Sequence, residues 1–206
     1  MQLTDGPTFV ISLARRKDRR ELFRARAEAI GLENWTFFDA IDGKSMRLYC
    51  EHGRGNRVTA RPQGPMTPGE VGCYLSHVAV ARAAKAIGLS TLAVLEDDVE
   101  FLPGFWDGWA ELAVHAPTDV ALFHLGTKVS HTLPPVVIND HVHRVIDTFG
   151  NYFYVASRRV IERIADLDTI ERPIDHVLRE IQAEGHCYGP RRELIRPITY
   201  DSDCGK

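Results

Sequence analysis

No apolar run in this 206-residue sequence approaches the roughly 18 to 20 residues that a membrane-spanning helix requires. The amino terminus offers no secretory signal either: Met1 to Pro7 is short, carries Asp5 and has no basic stretch ahead of an apolar one. A cytoplasmic location is the default expectation. Cysteine is scarce, and Cys50, Cys73, Cys187 and Cys204 stand far apart and form no CxxC pair. Without a signal sequence they are expected as free thiols rather than as disulfides or a zinc centre. Net charge is small, -3 from 25 basic and 28 acidic residues, which removes the electrostatic case for a nucleic-acid partner. Internal repeats and low-complexity tracts are absent. What remains is an ordinary globular composition, 44% hydrophobic and 26% charged, long enough to bury a core as a single domain over residues 1–206.

Hydrophobic periodicity supplies the elements. Residues 8–13 form a short β-branched apolar run, and residues 18–30 carry Leu22, Phe23, Ala27 and Ile30 on one helical face before Gly31 stops them. A second strand over residues 35–39 leads to the turn step Asp42-Gly43. Residues 44–66 differ in texture, with Gly53, Gly55, Gly64, Pro62, Pro65 and the arginines 47, 54, 57 and 61. A loop of that length without elements of its own is expected to be functional or mobile. Thr67-Pro68-Gly69-Glu70 then starts a helix over 68–87, with Thr67 as cap, Pro68 in the first turn and Glu70 closing a capping box. Residues 91–95, Thr-Leu-Ala-Val-Leu, read as a central strand covered on both faces. Helices near 104–114, 158–167 and 174–184 alternate with strands near 120–125, 142–148, 152–156 and 193–199. The alternation predicts an α/β domain of three layers.

The central strand runs straight into Glu96-Asp97-Asp98. Burying one unpaired carboxylate costs several kcal/mol, so the triplet belongs at the open carboxyl edge of the sheet, where α/β sheets bind ligands. Strand alternation places Glu96 and Asp98 on one side and Asp97 on the other. Two hard oxygen donors at that spacing suit Mg²⁺ or Mn²⁺, with phosphate oxygens and water filling the shell. They also suit a solvated acidic turn that closes a strand.

The wider pattern includes Val10-Ile11-Ser12-Leu13 with Arg16, Asp18, Arg19 and Arg20, then Phe38-Asp39-Ala40-Ile41-Asp42-Gly43. It is sharpest at Thr67-Pro68-Gly69-Glu70-Val71-Gly72-Cys73-Tyr74-Leu75-Ser76-His77 and at Leu95-Glu96-Asp97-Asp98-Val99, with weaker echoes at 152–159 and Pro173-Ile174-Asp175-His176. In order and spacing these segments resemble glycosyltransferase family 25. Its bacterial members build lipopolysaccharide or lipooligosaccharide, and its animal members galactosylate collagen hydroxylysine. The resemblance implies a GT-A-like three-layer α/β/α sandwich with a mixed, mostly parallel central sheet. It also implies a nucleoside-diphosphate sugar donor such as UDP-galactose, a glycan or glycoconjugate acceptor, and Mn²⁺ or Mg²⁺ as cofactor. A lipid-linked acceptor would bring such a protein to a membrane surface without a transmembrane segment.

Residue by residue, the resemblance assigns the DxD-type metal motif to Glu96-Asp97-Asp98. Asp98 would be the most direct ligand, Glu96 its companion, and Asp97 would face sugar or ribose hydroxyls. The inverting chemistry of the family needs a base for the acceptor hydroxyl, and Asp175, in the Pro-x-Asp segment, is the candidate. An aspartate there also stabilises the start of a helix. The tail Tyr200-Asp201-Ser202-Asp203 resembles the terminal Ser-Asp element of the bacterial enzymes. It offers Asp203 or Asp201 as a late metal ligand, against the competing expectation of an untethered tail over 200–206.

The donor side has further candidates in Ser12, Arg16, Arg19, Asp42, Ser76, His77 and Asp97. Arg16 or Arg19 would meet the diphosphate at a strand-to-helix turn, while the rest of the basic cluster faces solvent beside Glu21 and Glu28. Ser76 and His77 are adjacent on a helix and so are not a nucleophile–base pair; packing of helix on sheet suits them as well as donor contact does. His124 and His131 read as ordinary surface or loop histidines, and His141-x-His143 lacks a third ligand nearby. The stretch 127–140, with Pro134-Pro135, carries little acceptor signal. Two other function classes stay open: a non-catalytic nucleotide-sugar or metal-binding module, and a metal-dependent phosphohydrolase. The second is disfavoured because no further acidic cluster exists for a two-metal site.

Overall fold

A computed structural model describes residues 3–4, 6–46, 66–128 and 135–198. Most of the loop expected over 44–66, and the whole tail with Asp201 and Asp203, lie outside the described residues, as do Cys50, Cys204 and His131.

Strand β1 (Thr8–Ser12) leads into helix α1 (Lys17–Ala29) and strand β2 (Trp35–Asp39). Helix α2 (Pro68–Ala86), strands β3 (Thr91–Glu96) and β4 (Val99–Phe101) and helix α3 (Phe105–His115) follow. Then come β5 (Leu122–Lys128), β6 (Val136–Val137), β7 (Val142–Arg144) and β8 (Phe149–Ser157). The chain continues through α4 (Arg158–Ala165), α5 (Ile174–Ala183), β9 (Cys187–Pro190) and β10 (Ile195–Pro197).

Among the described residues eight strands form one sheet in the order β2-β1-β3-β8-β5-β9-β7-β6. Six run in one direction, and β8 and β7 run against them, so the sheet is mixed and mostly parallel. One face carries α2, α4 and α5 over Leu92, Val94, Leu122, Tyr154 and Ala156. The other carries α1 and α3 over Val10, Ala93, Leu95, Phe153 and Tyr188. Alternate residues of β3 thus feed two cores, which is why its sequence is apolar without a break. The layering is the expected α/β/α sandwich.

The carboxyl-terminal stretch differs from expectation. β9 joins the main sheet although Gly189 and Pro190 weaken its strand signal, while β10 pairs with β4 in a separate two-stranded sheet. Tertiary pairing overrides propensity at that point.

The start of α2 is as its sequence predicts. Glu70 N donates to Thr67 Oγ1 at 3.2 Å, and Thr67 N donates to Glu70 Oε2 at 2.7 Å, completing the capping box. A Cβ on Gly72 would lie 2.4 Å from Ile41 O, and one on Gly43 would lie 1.6 Å from Pro68 O. Two glycines therefore let the 40–43 turn rest directly on the first turn of α2. Ser76 Oγ holds that turn, accepting from Ile41 N at 2.8 Å and donating to Gly72 O at 2.6 Å.

Candidate active site at the exit of strand β3

β3 stops at Glu96, and Asp97 and Asp98 turn the chain into β4. Its neighbour β1 is parallel, with Ile11 opposite Glu96, so the end of β1 at Ser12 arrives at the same edge. Its other neighbour β8 is antiparallel, with Leu95 opposite Phe153, so β8 delivers its beginning, residues 149–152, to that edge. The first turns of α2 and α5 close the sides. The result is a cleft of about 580 Å³ whose lining includes Arg16, Glu96, Asp98, Asn151, Tyr152 and Asp175.

Asp97 is 4% exposed. Ser12 Oγ donates to its Oδ2 at 2.6 Å, Arg19 pairs with its Oδ1, and Arg26 donates to its carbonyl oxygen at 2.8 Å. Arg19, also buried, reaches Asp98 Oδ2 at 2.9 Å. The alternation expected across 96–98 therefore ends at Glu96. Pleating separates neighbours only within a strand, and in the turn Asp97 and Asp98 converge on one guanidinium. Ser12 and Arg19 are thus both engaged by the Asp97 carboxylate in the wall of the cleft.

Asp98 has a different environment. Its Oδ1 is buried and makes no hydrogen bond among the described residues. Burial, and then the charge of Glu96, push its carboxyl up to about 7 against the opposing pull of Arg19. A buried, unsatisfied oxygen beside a second carboxylate is the deficit that a hard divalent cation relieves, so the residues present fit Mg²⁺ or Mn²⁺.

Asp175 lies in the first turn of α5, but more than a helix end holds it. Its Oδ2 accepts from Gly150 N at 3.1 Å and its Oδ1 from Asn151 Nδ2 at 2.7 Å. Asn151 is 2% exposed, and it lies just ahead of the weaker echo at 152–159, so no motif in the sequence marks it. The Tyr152 hydroxyl was missed too. Burial raises its pKa, as do the charges of Glu96, Asp98 and Asp175 along the same cleft, so the phenol stays protonated.

The other candidates divide between cleft and support. Arg16 borders the cleft while paired with Asp18 at 3.0 Å. Asp42 borders it while holding Arg15 at 2.8 Å and accepting from Lys44 N at 3.1 Å. Ser76 and His77 are fully buried, and His77 Nδ1 lies 2.9 Å from Tyr154 Oη. Asp203 lies outside the described residues. His124 is no surface histidine: it is buried on β5 beside Gln182, and burial lowers its pKa to about 3. Two of the cysteines, Cys73 and Cys187, are thiols as expected.

A model of the family described as "Glycosyltransferase family 25 (LPS biosynthesis protein)" matches residues 5–147. The "Probable inactive glycosyltransferase 25 family member 3" of Bos taurus is 30% identical over 184 residues, covering 82% of this chain and 30% of that protein. The "Procollagen lysyl hydroxylase and glycosyltransferase" of Acanthamoeba polyphaga mimivirus is 27% identical over 180 residues, 81% of this chain and 20% of that one. The chain thus spans less than a third of the length of either relative. Among solved structures, a "glycosyltransferase involved in the glycosylation of the major capsid of PBCV-1" aligns over 96% of this chain and 95% of its own, with a TM-score of 0.48 at 8% identity. Because the family model covers well over half of the sequence, including the acidic edge and the capped helix beside it, the chain belongs to glycosyltransferase family 25.

Proposed function

We propose that this chain transfers a sugar from a nucleoside-diphosphate donor, UDP-galactose being the first to try, to a hydroxyl of a glycan or glycoconjugate. The observation that carries this reading is that Glu96, Asp98 and Asp175 line one cleft together with Tyr152. Glu96 and Asp98 would hold Mn²⁺ or Mg²⁺, which when bound supplies Lewis-acid stabilisation of the diphosphate leaving group. Arg16, at the strand-to-helix turn, adds positive charge for the phosphates. Asp97 acts as a positioning residue, since it fixes Arg19 and through it Asp98. Asp175 takes the proton of the acceptor hydroxyl as its oxygen attacks the anomeric carbon and the bond to diphosphate breaks. Gly150 and Asn151 aim that carboxylate, and Tyr152 offers a hydroxyl to the sugar. A cytoplasmic location, and approach to a membrane through a lipid-linked acceptor, belong to the same proposal; among the described residues no helix is long and apolar enough to cross a membrane.

The test is donor-dependent stabilisation and turnover. With Mn²⁺ and a donor at a hundred times its dissociation constant, the wild-type protein should gain about 2.7 kcal/mol of stability. Asp98→Ala should stay folded and lose both this gain and Mn²⁺-dependent UDP-sugar hydrolysis. Full turnover by Asp98→Ala removes the assignment. A second reading, donor binding without turnover, is favoured by the name of the bovine relative, which marks that protein as inactive. Stabilisation by the donor with neither transfer nor hydrolysis, unaltered in Asp175→Asn, would select it.

A further inference from the structure

We propose that Cys73, His77 and Glu96 form a binding site for a borderline-soft divalent cation, zinc by the character of its donors, at the inner wall of the cleft. Cys73 and His77 are four residues apart on α2 and so share one helix face. That face meets the end of β3. One ligating atom from each of the three residues lies within 4.8 Å of the other two.

The histidine carries the argument. His77 is fully buried, its Nε2 makes no hydrogen bond among the described residues, and that atom faces Glu96 Oε1 at 3.8 Å. A buried ring nitrogen left unsatisfied costs about 1–3 kcal/mol, and a bound cation would remove that cost. The opposite ring nitrogen is already held, because Nδ1 lies 2.9 Å from Tyr154 Oη. With the ring proton on Nδ1 donated to Tyr154, Nε2 presents its lone pair to the cation, the outer-shell arrangement usual for metal-bound histidine.

One thiolate, one imidazole and one carboxylate are a poor set for Mg²⁺ and a good one for Zn²⁺. Bonds of ~2.0–2.3 Å in a tetrahedron put ligand atoms about 3.3–3.8 Å apart, so the cluster needs to close by up to about 1.5 Å. Cys73 and Glu96, both partly exposed, can supply that by side-chain rotation around the fixed histidine. Three protein ligands leave a fourth position open toward the cleft. Glu96 is common to this site and to the hard-cation site proposed with Asp98, so zinc would draw it away from Asp98 and oppose Mn²⁺-supported donor binding.

Titration of the full, reduced chain with Co²⁺ tests the site without any activity assay. The expected result is a thiolate-to-cobalt charge-transfer band with the visible bands of a four-coordinate ion, suppressed by prior addition of Zn²⁺. Cys73→Ser should abolish the band and weaken Zn²⁺ binding, measured by chelator competition, beyond the roughly 10- to 100-fold that loss of an outer-shell partner costs. Tyr154→Phe should fall inside that range, and Asp98→Asn should keep the band. Circular dichroism of metal-free Cys73→Ser, altered at a half-exposed position, checks that its fold is intact. Absence of the band in the wild type, its survival in Cys73→Ser, or its equal loss in Asp98→Asn each overturns the proposal. If the band fails while Mn²⁺-dependent donor binding holds, only this inference falls. If donor binding fails while the band holds, only the transferase reading does.

Discussion

Arg19 reaches Asp97 and Asp98 together, and its single charge is set against the negative charge of both carboxylates and that of Glu96 nearby. Asp98 bears the shortfall, with a pKa near 7 in place of 3.8. Because that carboxyl holds its proton more tightly when folded, ionising it costs native stability as pH rises from about 4 to 7. Without added cation, Asp98→Asn should therefore gain stability relative to wild type over that interval and match it near pH 4, as denaturant melts would record. An unchanged difference between pH 4 and 8 would show that Asp98 is not the stressed group. Asp175 calls for a kinetic measurement. If it is the base, Asp175→Asn should lower transfer by about 10²- to 10⁴-fold while donor binding with Mn²⁺ stays near the wild-type value. The acidic triplet was plain in the sequence. That Ser12 and Arg19 would be spent on Asp97 was not, because Ser12 lies 85 residues from its partner.

At the scale of elements, the start of α2 carries both stability and site geometry. Thr67→Ala removes one half of the capping box and should cost about 1 kcal/mol, read as a shift in the denaturation midpoint. Gly72→Ala is expected to be worse, by about 1–3 kcal/mol, because the new methyl group would meet the backbone at Ile41 and Gly43, which cannot rotate away. A Gly72→Ala protein as stable as wild type would mean that the 40–43 turn moves freely off the helix. The helix signals were legible because capping and periodicity are local. The contact of Gly43 with the same helix was not, although Asp42-Gly43 was recognised as a turn, since what a turn rests on is not written in its own residues. Cysteine spacing likewise missed Cys73 and His77, whose third neighbour Glu96 arrives from another element.

For the whole molecule, two strongly shifted groups pull the response to acid in opposite directions. His124 is held neutral with a pKa near 3, so its contribution is complete above 6.5 and is lost as pH falls toward 3. Asp98 works the other way between 3.8 and about 7. Each moves stability by up to about 1.4 kcal/mol per pH unit, and in the wild type they oppose each other between about 4 and 6.5, where burial of His143 adds to the side of His124. In Asp98→Asn the histidines should act unopposed, giving a stability that climbs with pH through that window; a flat profile would refute this opposition. The sequence by itself determined the alternation of strands and helices, the central strand and the acidic edge, because hydrophobic period, caps and chain-breaking residues act over a few positions. Tertiary structure alone decided the direction of β8, and with it the arrival of Asn151 and Tyr152 beside Glu96 and Asp98, with Asp175 held against them. Strand direction and register follow from how two cores fill on either face of the sheet, a property of the packed whole that no local pattern carries.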